Sequence, residues 1–214
     1  MVVLLLLLLL ILLLLCILIR NVCDFDYHVI HVPGNDERSR NIQEMEKVLG
    51  QKINIFSGEV GTKHPHLKLK GVHGCYKSHL NLLSKLHAHK FAVIFEDDFL
   101  IRPDLHNKIK SIIRKLRKKD FDMVYLGNLD NNHGEHFRGD LYKVDKKKLL
   151  TGTHAYIVNT SSCQKIISLL KSRMKKAIDL ELHDLMCEDL VTAYVAWPYL
   201  VNQQPDKLKS TISS

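Results

Sequence analysis

Hydrophobic residues are distributed along this chain in two different ways. From Val2 to Ile19 every position is apolar, most of them leucine, whereas beyond Asn21 the apolar residues come in short runs and periodic stripes separated by polar turns. A bilayer core about 30 Å thick takes about 20 apolar residues as a helix, so the first segment is long enough to enter a membrane. Met1-Val2-Val3 offers no basic start, and no Ala-x-Ala pattern precedes Asn21, which favours an uncleaved single-pass anchor over a signal peptide. Arg20 on the C-terminal flank inclines the rest of the chain towards the cytosol, but Asp24 and Asp26 beside it leave cytosolic or lumenal facing open.

Past that segment the patterns alternate between strand and helix. Runs rich in β-branched and aromatic residues predict strands near Tyr27–Val32, Lys52–Phe56, Phe91–Phe95, Asp122–Leu126, Thr153–Val158 and Ala193–Trp197. Helical spacing predicts helices near Asp36–Leu49, Cys75–His87, Pro103–Lys118 and Ser161–Lys171, with Pro103 in a first turn and Ser161 as a cap. Such alternation implies an α/β fold, a mostly parallel sheet flanked by helices, preceded by the N-terminal hydrophobic helix. The division expected is therefore 1–20 for the anchor or signal segment and 21–214 for one catalytic domain, since no repeat or Pro-rich linker marks a second.

The strand expected at Phe91–Phe95 ends abruptly in Glu96-Asp97-Asp98. Acids at the end of a buried strand emerge at the rim where open α/β sheets bind ligands. If the strand's alternation continues, Glu96 and Asp98 share a face and Asp97 turns away. Two carboxylates on one face suit a hard divalent cation, Mn²⁺ or Mg²⁺. An isolated acidic triplet is as often a surface turn or a cap, so its neighbours must decide.

Those neighbours carry a family resemblance. Gly74-Cys75-Tyr76-Lys77-Ser78-His79-Leu80, the acidic strand, and Gly152-Thr153-His154-Ala155-Tyr156-Ile157 resemble, in that order, signatures of glycosyltransferase family 25, which includes bacterial lipooligosaccharide and animal procollagen galactosyltransferases. Val29-Ile30-His31-Val32 with Arg38 and Arg40, Asp122-Met123-Val124-Tyr125-Leu126-Gly127, Ile178-Asp179, Pro198, Gln203, Ser210 and Ile212 extend the similarity from about Tyr27 to Ile212. The resemblance implies a GT-A-like nucleotide-sugar fold. It also implies inverting transfer of a hexose, galactose or glucose, from a UDP-sugar donor to a hydroxyl of a glycan, lipid-linked or protein acceptor.

Transfer of that kind needs a metal facing the leaving diphosphate and a base for the acceptor hydroxyl. Glu96 and Asp98 fit the metal. Asp179 is the acid that best matches the family pattern and is the candidate base, with Glu181, Asp184, Glu188 and Asp189 as competitors. Arg40, Ser78, His79, Asp97, Thr153, His154 and Gln203 are candidates for donor or acceptor binding. One departure concerns Gly71-Val72-His73-Gly74-Cys75, where many members have Gly-Glu-Ile-Gly-Cys; the acid is absent. Ser57-Gly58-Glu59-Val60-Gly61 resembles the missing motif but lacks the Cys and Ser-His that should follow.

The formal net charge of +8 lies largely in basic runs such as 108–119, where Leu105, Ile109, Ile112, Ile113 and Leu116 recur at helical spacing and leave the lysines and arginines on a solvated face. Attraction to anionic lipid or an acidic acceptor is the functional alternative for that face. No aromatic interleaving or nucleic-acid-binding motif accompanies the basic runs, which argues against nucleic acid. Neither the cysteines nor the histidines show a zinc-finger or His-x-x-x-His spacing, and the His/Asp set is too sparse for a two-metal phosphohydrolase. A catalytically inactive, membrane-tethered sugar-nucleotide or glycan-binding protein remains the alternative to an enzyme, with retention of Glu96, Asp97, Asp98 and Asp179 against it.

Overall fold

A computed structural model describes residues 6–11 and 25–204. The expected anchor lies outside the described residues except for 6–11, which are helical. Among the described residues no helix is long and apolar enough to cross a membrane.

Ten strands and five helices follow one another from Phe25. They are β1 Phe25–His31, α1 Asp36–Leu49, β2 Asn54–Ser57, α2 Lys70–Leu83, β3 Phe91–Glu96, β4 Phe99–Ile101, α3 Leu105–Leu116, β5 Met123–Tyr125, β6 His136–Arg138, β7 Leu141–Lys143, β8 Ala155–Asn159, α4 Cys163–Lys171, α5 Ile178–Cys187, β9 Ala193–Ala196 and β10 Val201–Gln203. Eight strands form one sheet in the order β2-β1-β3-β8-β5-β9-β7-β6, and β10 pairs with β4 beside it. β2, β1, β3, β5 and β9 run in one direction, β8 runs antiparallel between β3 and β5, and β7 is antiparallel to β9. The expected α/β sheet is thus present, and it is mixed at β8.

Burial follows the period of each element. In β3, Phe91, Val93 and Phe95 pack into one core while Ala92 and Ile94 pack into the other, which is why the strand reads as continuously apolar. The first core is closed by Ile42 and Met45 of α1 and by the Leu105, Ile109, Ile112, Ile113 and Leu116 stripe of α3; the second is closed by α2, α4 and α5. Each large side chain buried in this way stabilises the fold by about 1.5–3 kcal/mol.

Three differences from the sequence reading have physical causes. α2 begins at Lys70, five residues before Cys75, because its glycine-bearing first turn is packed under the 58–61 loop: a Cβ on Gly74 would stand 2.5 Å from the Glu59 carbonyl oxygen and 2.7 Å from the Gly61 nitrogen. α5, unanticipated as an element, has apolar and acidic residues mixed without a strong stripe. β4, β6, β7 and β10 have three residues each, too short to show a period.

Candidate active site

The carboxyl ends of β1 and β3 are neighbours in register, Ile30 beside Glu96, and the turn after β1 feeds directly into α1. Asn35 caps that helix through its side chain, which accepts from the Arg38 backbone N–H at 3.1 Å. The cap aims Arg38, in the first turns of α1, back over the strand ends. There its guanidinium donates to Asp97 Oδ1 in a very short contact and to Asp98 Oδ2 at 3.2 Å.

The strand stops at Glu96, so the alternation expected for the acids does not continue. Asp97 and Asp98 form the turn into β4, clamped by Asn41 Nδ2, which donates to the carbonyls of Asp97 (3.1 Å) and Phe99 (3.0 Å). Asp97 therefore does not turn away; it is buried with Asp98 around the same guanidinium, and its Oδ2 also accepts from His31 Nδ1 at 2.7 Å. Both oxygens of Asp97 are thereby committed. Asp98 differs, because its Oδ2 accepts from Arg38 and from Gln203 Nε2 (3.0 Å) while Oδ1 is buried without any hydrogen-bond partner. Burial, then the adjacent Glu96 charge, push the Asp98 carboxyl up to about 6 against the pull of Arg38 and Gln203.

Glu96 faces the other way along the rim. Its Oε1 accepts from Thr153 Oγ1 at 2.6 Å and from His79 Nε2 at 3.3 Å, and the His79 Nδ1 bonds the Tyr156 hydroxyl at 2.9 Å. Burial raises this carboxyl, but the hydrogen bond and charge of His79, with Thr153 and His154, outweigh it and leave Glu96 below the ordinary carboxylate range.

Two cavities meet at Glu96. The first, about 310 Å³, is lined by Arg38, Glu59, Lys70, Ser78, His79 and the three acids; the second, about 210 Å³, by Val72, Leu129, Gly152, Thr153, His154 and Asp179; Cys75, Glu96 and Gln203 line both. Asp179, near the start of α5, accepts from the Gly152 N–H at 2.9 Å through Oδ2 and from the Leu180 N–H at 2.9 Å through Oδ1. Of the acids in its neighbourhood it is the one that lines a cavity. Glu181 is buried and caps the Lys175 and Lys176 amides, Asp184 pairs with Lys176, Glu188 with Arg173, and Asp189 with Lys146.

Most of the residues expected at a site are brought together here, with one exception. Arg40 lies on the exposed side of α1, its Nε donating to the Asp36 carbonyl, because two residues along a helix turn a side chain to the far face. Ser78 lines the first cavity but its hydroxyl is used internally, donating to the Gly74 carbonyl and accepting from the Glu59 N–H. His154 is buried, with Nδ1 unpartnered, and burial lowers its pKa against Glu96 and a hydrogen bond to the Val201 backbone, so the ring is neutral. His31, Arg38, Asn41, Glu59 and Cys75 were not singled out as site residues. Arg38 was legible as the helix position facing back to the strand end. Glu59 was not, since only the folding of the 58–61 loop onto α2, with Asn81 Nδ2 donating to its Oε1 at 2.8 Å, brings it to the cavity.

Acids and a guanidinium gathered at the ends of parallel strands, under two joined cavities, are the layout of an α/β enzyme handling a polar, charged substrate. Residues 29–182 match the model of glycosyltransferase family 25, described as LPS biosynthesis proteins. The chain belongs to that family and is a glycosyltransferase. No curated protein matches it significantly. Among solved structures it is similar to a glycosyltransferase involved in glycosylation of the major capsid of PBCV-1, at 13% identity and a TM-score of 0.50 over 88% of this chain and 95% of that one. An inositol-1-phosphate CTP transferase from T. maritima (12% identity, TM-score 0.42, 86% and 72% covered) and a mannose-1-phosphate geranyltransferase from Thermus thermophilus (7%, 0.46, 83% and 75%) are more distant, and nothing is argued from them.

Proposed function

We propose that this glycosyltransferase is metal-dependent and inverting, and moves a hexose, galactose or glucose, from a UDP-sugar to a hydroxyl of a glycan, lipid-linked or protein acceptor. The observation that carries the reading is the unpartnered Oδ1 of buried Asp98, set beside Glu96 in a cavity that also holds Arg38 and Lys70. A buried carboxylate oxygen left without a donor is costly unless a ligand supplies one, and an oxygen pair of this kind fits Mn²⁺ or Mg²⁺. Glu96 and Asp98 would hold the ion, which when bound supplies positive charge to the leaving diphosphate.

The rest of the chemistry belongs to the chain itself. Arg38 and Asp97 hold the Asp98 turn rigid, while Lys70 and Arg38 give the first cavity cations for a nucleotide diphosphate. Thr153 and His79 fix the orientation of Glu96 between the cavities. Asp179 carries one backbone hydrogen bond on each oxygen and retains lone pairs to take the proton of an acceptor hydroxyl in the second cavity as that oxygen attacks the sugar. Gln203 and His154 line the path between them and are read as sugar-positioning groups. Val72 stands in the second cavity where many members carry an acid, leaving Asp179 as its carboxylate besides the shared Glu96.

The deciding experiment titrates UDP-galactose and UDP-glucose into purified protein with and without Mn²⁺, then adds glycan, lipid and hydroxylysine acceptors. Release of UDP that requires both metal and acceptor supports the reading; donor binding with no transfer to any acceptor class overturns it. We further read the leucine segment as a membrane anchor, on the strength of its length and apolarity. Full-length protein should then stay with membranes through carbonate extraction, and recovery of the intact chain in the soluble fraction would refute the anchor.

A further inference from the structure

Cys75 and His79 are separated by one turn of α2, so they project from the same face of the helix onto the end of β3. A ligand atom from each of Cys75, His79 and Glu96 lies within 4.8 Å of the others, and His79 Nε2 is 3.3 Å from Glu96 Oε1. Neither cavity-lining nor hydrogen bonding to Asp98 explains why a thiol should stand there. We propose that Cys75, His79 and Glu96 form a binding site for one thiophilic divalent cation of the Zn²⁺ or Cd²⁺ type, distinct from the hard-cation site of Glu96 and Asp98.

The donor set is the argument. A thiolate, an imidazole and a carboxylate are the ligand types that select zinc over Mn²⁺ or Mg²⁺, and three protein ligands leave a fourth position open to water. Tetrahedral zinc ligands of these types stand about 3.3–3.8 Å apart, so closure needs a shift of about 1 Å, mainly by the Cys75 side chain. The half-buried Cys75 and Glu96 both open onto the two cavities, which gives an ion its entry. Tyr156 supports either state of His79: its hydroxyl can donate to Nδ1 while Nε2–H faces Glu96, or accept from Nδ1–H when Nε2 turns its lone pair to a metal. Binding then releases one proton, from the Cys75 thiol to solvent, as the metal–sulfur bond forms.

Glu96 is common to this site and to the hard-cation site. On the reading given under Proposed function, therefore, a thiophilic ion excludes Mn²⁺ and acts as an inhibitor at the metal step.

The test uses the full-length purified chain without substrate. Cd²⁺ titration should give an ultraviolet thiolate-to-metal band saturating at one equivalent, absent in Cys75→Ser and retained in Cys187→Ser, the other cysteine that lies near a histidine. Independently of any variant, Zn²⁺ should slow maleimide modification of Cys75, followed by peptide mass, by at least about tenfold. Absence of the band, its survival in Cys75→Ser, or unchanged Cys75 alkylation overturns the site. Mn²⁺ binding, read by its paramagnetic resonance, keeps the two ideas apart. Loss of bound Mn²⁺ on adding one equivalent of Zn²⁺ supports exclusion, and retention refutes it. Cd²⁺ binding in a chain that never binds Mn²⁺ leaves the thiol site standing and removes the hard-cation reading.

Discussion

The two cavities share a wall and differ in kind. The first is a corner of fixed charge, where Arg38, Asp97, Asp98 and His31 are buried against one another and one carboxylate oxygen is left over. The second contains Asp179, lightly held by two backbone amides, with Val72, Leu129 and Ile178 as its apolar rim. Charge that is over-determined by partners suits the binding of an ion and a diphosphate, which must be held in place. A single carboxylate in a mostly uncharged pocket suits the selection and deprotonation of a neutral hydroxyl. The division of labour proposed for donor and acceptor follows from that contrast, and variants on either side of Glu96 can break it.

The largest effect is expected at Asp98. Asp98→Asn should lower kcat/KM by at least about 10³-fold, because a cation's stabilisation of leaving-group charge is worth several kcal/mol, and Mn²⁺ and donor affinity should fall with it. Asp98 is buried and bonded to Arg38, so the isosteric change is preferable to alanine, and some loss of stability is expected as well. Retention of Mn²⁺ affinity in folded Asp98→Asn would remove it from the metal site.

Asp179→Asn comes next, with turnover expected to fall about 10²–10⁴-fold while donor and Mn²⁺ titrations stay nearly unchanged. If Mn²⁺ affinity falls as far as in Asp98→Asn, the two cavities are not separate in function and the base lies elsewhere. Arg38→Ala should act on stability, lowering it by about 3–5 kcal/mol, because it leaves two buried carboxylates without their cation; urea denaturation would read this directly. A midpoint close to the wild type would mean that the corner is not held by charge. Arg40→Ala, by contrast, should change stability by no more than about 0.5 kcal/mol and donor affinity not at all, since its side chain lies on the outer face of α1. A loss of donor binding there would show that the first cavity extends beyond the groups seen to line it.

Much of the frame was legible because strong periods leave little freedom. The doubly buried β3 and the apolar stripe of α3 can satisfy their side chains only inside an α/β core, and both occur where the patterns put them. The family-like motifs were legible for a related reason, since Gly74, Ser78, His79, Glu96, Thr153 and Asp179 each meet a local demand of packing or hydrogen bonding. Three-residue strands were not legible, because their backbone partners lie far along the chain: β10 finds β4 across about a hundred residues.

What the sequence by itself determined was which elements form and which residue types stand at their ends, through local periodicity and capping. Only the tertiary structure decided what those ends do to one another. Alternation could not tell that Asp97 and Asp98 would both turn to Arg38, because the turn is set by Asn41 on another element. Spacing could not tell that Glu59 would enter the cavity, that Asp179 would line one while Glu181 caps a loop, or that Cys75 and His79 would meet Glu96. The physical reason is common to all of these: charge, burial and ligand geometry depend on distances between groups that the chain brings together only when the sheet and both its helical layers have closed.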